Sequence, residues 1–398
     1  MSLADKASLL LIPTGYKSQK VYSIFPTDGV GDFDFSRSSS ATRIAKNGLI
    51  TTVAANVPRL EYPMIDGVVN GCPSLKLEPQ RTNLLAYSED FSNAYWSTNS
   101  NALISLSSNL SPDGTANAYR IEAVTGTQVG YVGTTTIGTT ITHSIWVRRI
   151  SGSTTFNMVD VNNNNTSVNI TSDWQRFSVT STATSTNLRN YFRTTALGDV
   201  VEIYGAQTEE GSYPTSYIKS NSGYTTTRSA ETCNGAGDAA TFNDSEGVLM
   251  AEISALADDG TVRSIAISGS VTNDVVRFYY DGVSNGITAF VYNGAYQSVF
   301  TTVVNDITEN NKIAFSYKLN EFKLFINGLQ VGVTDTNGAI PNGLDGLKFD
   351  NGYGAEDFYG NTKQLQYYNS ALTDSELEKI SSWTSFTDMA QGQLYTIE

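Results

Sequence analysis

Short segments in which apolar and polar residues alternate recur along most of the chain. In the segment Ser144–Arg149, Trp146 falls on one face of an extended strand, whereas Ile145 and Val147 fall on the other. Because both faces carry apolar residues, this segment is expected to be a central strand. Comparable segments, rich in β-branched and aromatic residues and bounded by Gly, Asn, Asp or Ser, follow one another at short intervals. This pattern is typical of antiparallel sandwiches and predicts an all-β fold.

The strand-like segments fall into two groups, which predict two antiparallel β-sandwich domains at residues 81–222 and 223–398. In the second group, Asn327 and Gly328 stand between two apolar runs and predict a tight hairpin turn. Near the end of the chain, Thr373 and Glu376 have the spacing of a capping box. They predict one short C-terminal helix.

The first 80 residues have a more irregular pattern. Between Phe35 and Tyr87, short apolar anchors are separated by turn residues, and Asn47-Gly48 predicts a hairpin. This stretch has too few apolar residues to bury a large core alone. We therefore expect residues 1–80 to form an N-terminal region that packs on a neighbouring domain, on another subunit or on a larger assembly.

The charge balance is acidic, with 25 Lys and Arg against 39 Asp and Glu and a net charge of −14. This balance disfavours binding to nucleic acid, which needs clustered basic residues. Four arginines nevertheless fall in or near the irregular stretch, and they are expected to pair with carboxylates either across a subunit boundary or within the chain. They are Arg37, Arg43, Arg59 and Arg81.

The cysteines and the apolar run near the start add two expectations. Cys72 and Cys233 are far apart, which favours two buried free thiols over a disulfide. The run Leu9–Ile12 stops at Pro13 and is too short for a secretory leader or a membrane span. Neither a leader nor insertion into a membrane is therefore expected.

Several stretches resemble known phage proteins. The segments FSRSSSATRIAKNGLI (35–50), NVPRLEY (56–62) and CPSLKLEPQRTNLLAYSEDFSNAYW (72–96) resemble a segment that recurs in phage virion proteins of head-fibre or tail-fibre type. GAQTEEGSYPTSYI (205–218) resembles the close of the sandwich that follows it, a jelly roll like that of carbohydrate-binding modules. FKLFINGLQVG (322–332) and YYNSALTDSELEKI (367–380) are similar to the late hairpin and closing helix of concanavalin-A-like and laminin-G-like domains.

The resemblance spans about residues 9–390 and implies a virion protein with three parts. These are a virion-anchoring N-terminal region, a jelly roll and a concanavalin-A-like sandwich. It implies a head fibre, capsid decoration or tail fibre that attaches to other virion proteins, forms a homotrimer and adheres to host-surface glycans. A polysaccharide depolymerase and a purely structural decoration protein without a ligand are the alternatives.

Catalytic chemistry finds little support in the residue pattern. His143 is the one histidine of the chain, so a catalytic triad or a histidine metal site would have to use it. The adjacent carboxylate pairs point to opposite faces of a strand, which makes them poor acid–base partners. The E-x-D-x-x-E pattern of glucanases on the lectin-like fold is absent. We therefore expect no enzyme.

Sugar binding calls for exposed aromatic rings beside planar polar groups. Gly-rich loops and hairpins of the third unit supply such residues, and these are our candidates for carbohydrate binding: Tyr353, Phe358, Tyr359, Asn351, Tyr292 and Tyr296.

Calcium is a candidate cofactor because lectin-like sandwiches hold it with loop carboxylates and carbonyl oxygens. The acids that could serve as ligands are close in sequence, and they are Asp345, Asp350, Glu356 and Asp357. Turn formation by Gly, Asp and Asn is the favoured explanation of the same pattern.

Overall fold

The computed structural model describes residues 3–65, 67–98, 102–124, 128–220, 223–270 and 273–382. Within these residues the fold is almost entirely antiparallel β-structure, which confirms the all-β prediction. The one α-helix of the described residues, α1 (Asp374–Ser381), follows the last strand. The Thr373 side chain accepts a hydrogen bond from Glu376 N and the Glu376 carboxylate accepts one from Thr373 N, so the capping box is confirmed. In the same ranges, no helix is long and apolar enough to cross a membrane.

The described part of the first 83 residues forms strands of two to four residues. The hairpin at Asn47 and Gly48 is present as predicted, with Gly48 at φ +78°. The strands are β1 (Leu9–Leu11), β2 (Tyr16–Lys17), β3 (Lys20–Val21), β4 (Phe33–Ser36), β5 (Ala41–Ile44), β6 (Ile50–Val53), β7 (Leu60–Glu61), β8 (Met64–Ile65), β9 (Val68–Val69), β10 (Ser74–Leu77) and β11 (Arg81–Asn83).

Residues 97–210 form a sandwich of two antiparallel sheets, which we call the jelly roll. Its strands are β12 (Ser97–Thr98), β13 (Ala102–Leu106), β14 (Tyr119–Ala123), β15 (Gln128–Thr134), β16 (Thr140–Ser151), β17 (Thr155–Val159), β18 (Asn165–Asn169), β19 (Gln175–Thr182), β20 (Asn187–Thr194) and β21 (Val200–Glu210). The sheet orders are β12-β15-β20-β17-β18 and β13-β14-β21-β16-β19. Ile145 and Val147 point into the core between them, and β16 has a partner on each side, as predicted for a central strand.

The strands of the third unit are longer, and most of their residues are buried. They are β22 (Thr226–Arg228), β23 (Thr232–Ala236), β24 (Glu246–Ala255), β25 (Arg263–Ser268), β26 (Val275–Tyr280), β27 (Gly286–Tyr292), β28 (Tyr296–Val303), β29 (Asn311–Lys318), β30 (Glu321–Ile326), β31 (Leu329–Asp335), β32 (Gly346–Lys348) and β33 (Gly360–Tyr368).

The second sandwich, which we call the C-terminal sandwich, includes strands from both ends of the chain. Its helix-side sheet has the order β31-β30-β29-β24-β33-β10-β7, with β1 also paired to β33, and α1 packs on it. Its opposite sheet has the order β2-β3-β4-β23-β32-β25-β26-β27-β28. Leu9, Phe33 and Leu75 are buried in the common core beside Leu249 and Phe278.

The arrangement differs from the separate N-terminal region expected at residues 1–80. Strands from this stretch complete both sheets of the C-terminal sandwich. Of the three packing alternatives, the described residues thus show packing on a neighbouring domain. The jelly roll is inserted between the two parts of that sandwich. The cysteine expectation is half wrong, because Cys233 is buried but Cys72 is exposed, and both are free.

The chain enters and leaves the jelly roll along paired strands, because β11 is hydrogen-bonded to β22. A buried ion network lies beside this pair. Glu231 is paired with Arg37, with an N–O distance of 2.6 Å, and with Arg59, while Glu78 is paired with Arg59 at 2.9 Å and with Arg228 at 2.7 Å. Burial alone would raise the pKa of Glu78, but Arg228 and Arg59 outweigh it and hold that pKa well below its usual range. Arg37 and Arg59 thus pair within the chain.

Candidate functional site

The outer surface of the opposite sheet carries aromatic side chains beside a guanidinium. Along β26, Val276, Phe278 and Tyr280 point into the core, so Arg277 and Tyr279 point outward. On β27 the same alternation buries Ile287, Ala289 and Val291 and turns Phe290 and Tyr292 outward. The hairpin that joins β27 to β28 adds Tyr296, which is 66% exposed.

These outward residues contact one another closely. The Arg277 guanidinium lies 4.2 Å from the ring centroid of Tyr279 and 5.5 Å from that of Phe290. The Tyr296 ring stands edge-on to Phe290 and Tyr292, at centroid distances of 5.0 and 5.4 Å. Arg277 is also ion-paired with Glu356. The cation is therefore fixed against the rings by stacking and by charge.

The loop before β33 brings a further tyrosine to this surface. The Asn351 side-chain oxygen accepts hydrogen bonds from Tyr353 N and Ala355 N, at 2.9 and 3.2 Å, and so fixes the turn. The Tyr353 hydroxyl donates to the Asn273 carbonyl, while its ring stays 53% exposed. Partial burial, with Asp274 and Tyr292 nearby, raises the pKa of the Tyr353 phenol.

We call this surface the aromatic face. It consists of Arg277, Tyr279, Phe290, Tyr292, Tyr296 and Tyr353. Three of the six candidate sugar-binding residues thus come together, although 57 to 61 positions separate Tyr353 from Tyr296 and Tyr292 in the sequence. Asn351 supports the loop.

The other two candidates do not reach the aromatic face as contact residues. Phe358 is only 1% exposed and belongs to the core, where its ring packs 6.0 Å from that of Phe349. Tyr359 is half-buried and its hydroxyl donates to the Asp357 carboxylate at 2.9 Å. The Gly-rich loop turns inward at this point, so an aromatic beside glycine is buried here.

The four acids proposed for calcium have different neighbours. Each accepts a hydrogen bond or forms an ion pair locally: Asp345 with Ser270, Asp350 with Asn234, Glu356 with Arg277 and Asp357 with Tyr359. Among the described residues, no group of three acidic, histidine or cysteine side chains converges to hold a metal ion. Within the described residues these side chains accept hydrogen bonds, and Glu356 forms an ion pair; the calcium assignment stays a prediction.

His143 is buried in the jelly roll and does not line an open surface. It is 1% exposed, and its Nδ1 lies 2.9 Å from the Thr208 hydroxyl. Burial lowers its pKa to about 4, so the ring is neutral near pH 7. His143 is thus packed inside the jelly roll.

Sequence reasoning missed Arg277, Tyr279 and Phe290. A signal for them was present, because strict alternation in VVRFYY assigns Val275, Arg277 and Tyr279 to one face and three apolar residues to the other. What the alternation leaves open is which face meets the core. The arrangement offers the exposed rings of Tyr296 and Tyr353 beside the largely buried Arg277 guanidinium, and exposed rings suit the apolar face of a sugar.

Comparison with known proteins gives similar structures only. No protein-family model matches the sequence, and no curated protein matches it. A Ruminococcus gnavus IT-sialidase CBM40 bound to α2,3-sialyllactose is similar at 17% identity and a TM-score of 0.30, over 35% of this chain and 84% of that chain.

Domain 4 of a GH43 extracellular arabinanase from Geobacillus stearothermophilus, in complex with arabinotriose, is similar at 12% identity and a TM-score of 0.32, over 38% of this chain and 73% of that chain. A leech intramolecular trans-sialidase is similar at 19% identity and a TM-score of 0.30, over 36% of this chain and 24% of that chain. The similar regions thus cover little more than a third of this chain. Identities this low carry no residue roles across.

Proposed function

We propose that this protein is a phage virion structural protein, a head fibre, capsid decoration or tail fibre, that adheres to host-surface glycans through the aromatic face. The virion role is supported by the resemblance of residues 35–50, 56–62 and 72–96 to segments of such proteins. The adhesive role is supported by the geometry of the aromatic face. The proposal is non-enzymatic.

The observation that carries the adhesive role is the presence of two exposed tyrosine rings beside a fixed guanidinium. Tyr296 and Tyr353 are 66% and 53% exposed. The largely buried Arg277 guanidinium stacks on the rings of the half-buried Tyr279 and the buried Phe290. Stacking on rings that are already in place costs little conformational entropy, so a shallow surface can bind a sugar weakly. Many copies on one particle convert weak contacts into useful avidity.

Binding to immobilised bacterial surface polysaccharides tests this role. The double variant Tyr296→Ala, Tyr353→Ala is expected to lose about tenfold or more in affinity, which corresponds to about 1.4 kcal/mol. Tyr224→Ala is the matched control, because Tyr224 is 76% exposed but lies outside the aromatic face. Equal loss in the control, or retention unchanged in the double variant, would contradict the assignment of the aromatic face.

Incubating the protein with the same polysaccharides separates the alternatives. New reducing ends would identify a depolymerase. If the protein were not retained and did not cleave the polysaccharide, a structural decoration protein would be the remaining alternative. Labelled copies on purified particles would be expected at the head or the tail, and their absence from particles would reject the virion role.

Assembly into a homotrimer is a separate part of the proposal. Its two grounds are that residues 1–80 have too few apolar residues to bury a core alone and that fibres of the resembled kind are usually three-fold. The first ground does not hold, because Leu9, Phe33 and Leu75 are buried within one chain. The trimer therefore has to be held by other surfaces. Light scattering that finds a monomer would reject the homotrimer and would leave the proposed glycan binding unaffected.

A further inference from the structure

A groove runs between the jelly roll and the C-terminal sandwich. It consists of two adjoining cavities of about 1070 and 640 Å³. Ile44, Glu61, Met64 and Lys76 line both, so the two cavities form one continuous depression. We call it the interdomain groove. It lies against the helix-side sheet, so it is on the opposite side of the C-terminal sandwich from the aromatic face.

Two kinds of wall enclose the interdomain groove. The jelly-roll wall carries Trp146, Trp174 and Arg176, with Arg176 stacked 4.4 Å from the Trp146 ring centroid. The other wall is the outer surface of the helix-side sheet. It is lined by amide and hydroxyl groups, including those of Ser254, Asn310, Asn361 and Gln364.

The lining is basic, although the chain as a whole has a net charge of −14. Six basic side chains line the interdomain groove against four acidic ones: Arg43, Lys76, Arg148, Arg176, Lys312 and Lys363 against Glu61, Glu78, Asp173 and Glu252. Most of the basic groups already have carboxylate partners. Lys76 is 2.9 Å from Glu61, and Arg148 is 2.6 Å from Glu202.

Two guanidiniums are different. Within the described residues, Arg43 and Arg176 form no ion pair, and each has a buried Nε that lacks a hydrogen-bond partner. Arg176 donates to neutral oxygens only, the Thr215 carbonyl at 2.7 Å and the Ser144 hydroxyl at 2.9 Å. Arg43 donates to the Tyr16 hydroxyl at 3.1 Å.

Burial lowers the pKa of Arg176, and Glu209 and Glu78 offset this only in part. A partly buried cation without a carboxylate partner is unfavourable, and a bound carboxylate relieves that cost through charge-assisted hydrogen bonds. Elsewhere in this protein the buried arginines have such partners, as Arg37, Arg59 and Arg228 do.

We infer that the interdomain groove binds an acidic oligosaccharide, with sugar carboxylates at Arg43 and Arg176 and hydroxyl groups at the amides of the opposite wall. Guanidiniums match carboxylates in planar, two-point geometry. Side-chain amides both donate and accept, which suits hydroxyl groups, and the volume accommodates more than one sugar ring. The inference is independent of the aromatic face.

Isothermal titration with tetragalacturonate tests the inference, with its fully methyl-esterified, uncharged form as the matched ligand. The whole chain is expected to bind the acid and not the ester, and more weakly as salt is raised. Arg43→Gln and Arg176→Gln are each expected to weaken binding at least fivefold. Arg193→Gln is the control and should bind like the unmodified chain, because Arg193 also has no ion pair with any described residue but lies outside the interdomain groove.

Arg43→Gln keeps the test decisive if Arg176→Gln fails to fold, because the Arg43 guanidinium has only one hydrogen bond to lose within the described residues. Equal binding of acid and ester, no binding of either, or no effect of Arg43→Gln would overturn the inference. Equal or tighter binding of tetraglutamate would overturn it in favour of an acidic peptide. Tyr296→Ala with Tyr353→Ala should leave tetragalacturonate binding unchanged, and a loss there would move the site to the aromatic face.

Discussion

Replacing Glu231 by glutamine removes one charge from the buried ion network and keeps the shape of the side chain. Glu231 accepts hydrogen bonds from Arg37, from Arg59 and from the backbone N of Glu78. It is 1% exposed, and the two arginines are 0% exposed. Glutamine has one acceptor oxygen, and its amide group would face guanidinium donors.

The expected loss in the free energy of unfolding is about 3–5 kcal/mol. Removing one partner of a buried ion pair costs about this much, because the other charge is left without compensation in the interior. A second estimate agrees, since hydrogen bonds to charged groups contribute about 1.5–3 kcal/mol each and two guanidiniums lose the Glu231 carboxylate, although Arg59 keeps Glu78. Most of the loss in stability should come from Arg37, because Glu231 is its sole ion-pair partner among the described residues.

Urea unfolding gives the size of the effect, and hydrogen exchange read by mass spectrometry gives its location. Protection should fall in β4, β10 and β23, which border Arg37, Glu78 and Glu231 in the sequence, and stay nearly unchanged in β16 of the jelly roll. Glu122→Gln is the matched control, because Glu122 is exposed and 4.0 Å from Arg120, so about 0.5 kcal/mol or less is expected. A loss below about 1 kcal/mol for Glu231→Gln, or an equal loss in the control, would refute the reasoning.

Three further predictions concern stability. Burial lowers the pKa of His143 to about 4 from 6.5 in the unfolded chain, so the stability that the neutral ring contributes is present above pH 6.5 and is lost as the pH falls towards 4, by up to about 3 kcal/mol. In His143→Gln the melting temperature should therefore depend less on pH between pH 7 and 4. A pKa near 6.5 for His143 in the folded protein, measured by NMR, would contradict this. Phe358→Ala should lose about 3–5 kcal/mol of unfolding free energy as a core truncation, whereas Tyr353→Ala should lose about 1 kcal/mol or less, by denaturant unfolding; equal losses in the two variants would contradict their different burial. Thr373→Ala should lose about 1 kcal/mol as an N-cap, with faster exchange in α1, and unchanged exchange would argue against the cap.

Local structure was predictable from the sequence wherever turn or cap chemistry is specific. Asn47-Gly48 and Asn327-Gly328 both form hairpin turns, and Asn327 and Gly328 have φ values of +51° and +87°. Positive φ is tolerated by Asn and Gly, so the residue pair itself determines the turn. The Thr373 cap is equally local, because its hydrogen bonds join Thr373 and Glu376, which are three residues apart.

Strand partners were not predictable in the same way. The alternation in a strand shows which residues share a face, but nothing in Leu9–Leu11 indicates that Leu9 pairs with Tyr367 near the other end of the described chain. Apolar residues too few for a core of their own are equally consistent with packing on a subunit or on a distant part of the chain. The insertion of the jelly roll therefore became visible only in the fold.

The candidate site was likewise predictable from the sequence only in part. Tyr292, Tyr296 and Tyr353 were selected as residues near Gly-rich turns, and they share one surface. Phe358 was selected by the same rule and is buried, because the loop returns to the core within a few residues of Tyr353. The interdomain groove had no sequence signal, since its walls come from segments far apart in the chain.

The pairing of β11 with β22 has a mechanical consequence. Covalent connection between the two sandwiches runs through two adjacent antiparallel strands, Arg81–Asn83 and Thr226–Arg228, held to each other along their length. A single tether would let one sandwich swivel freely against the other. Here, tension applied to the jelly roll is divided between two strands, and torsion has to break their mutual hydrogen bonds before the sandwiches can rotate.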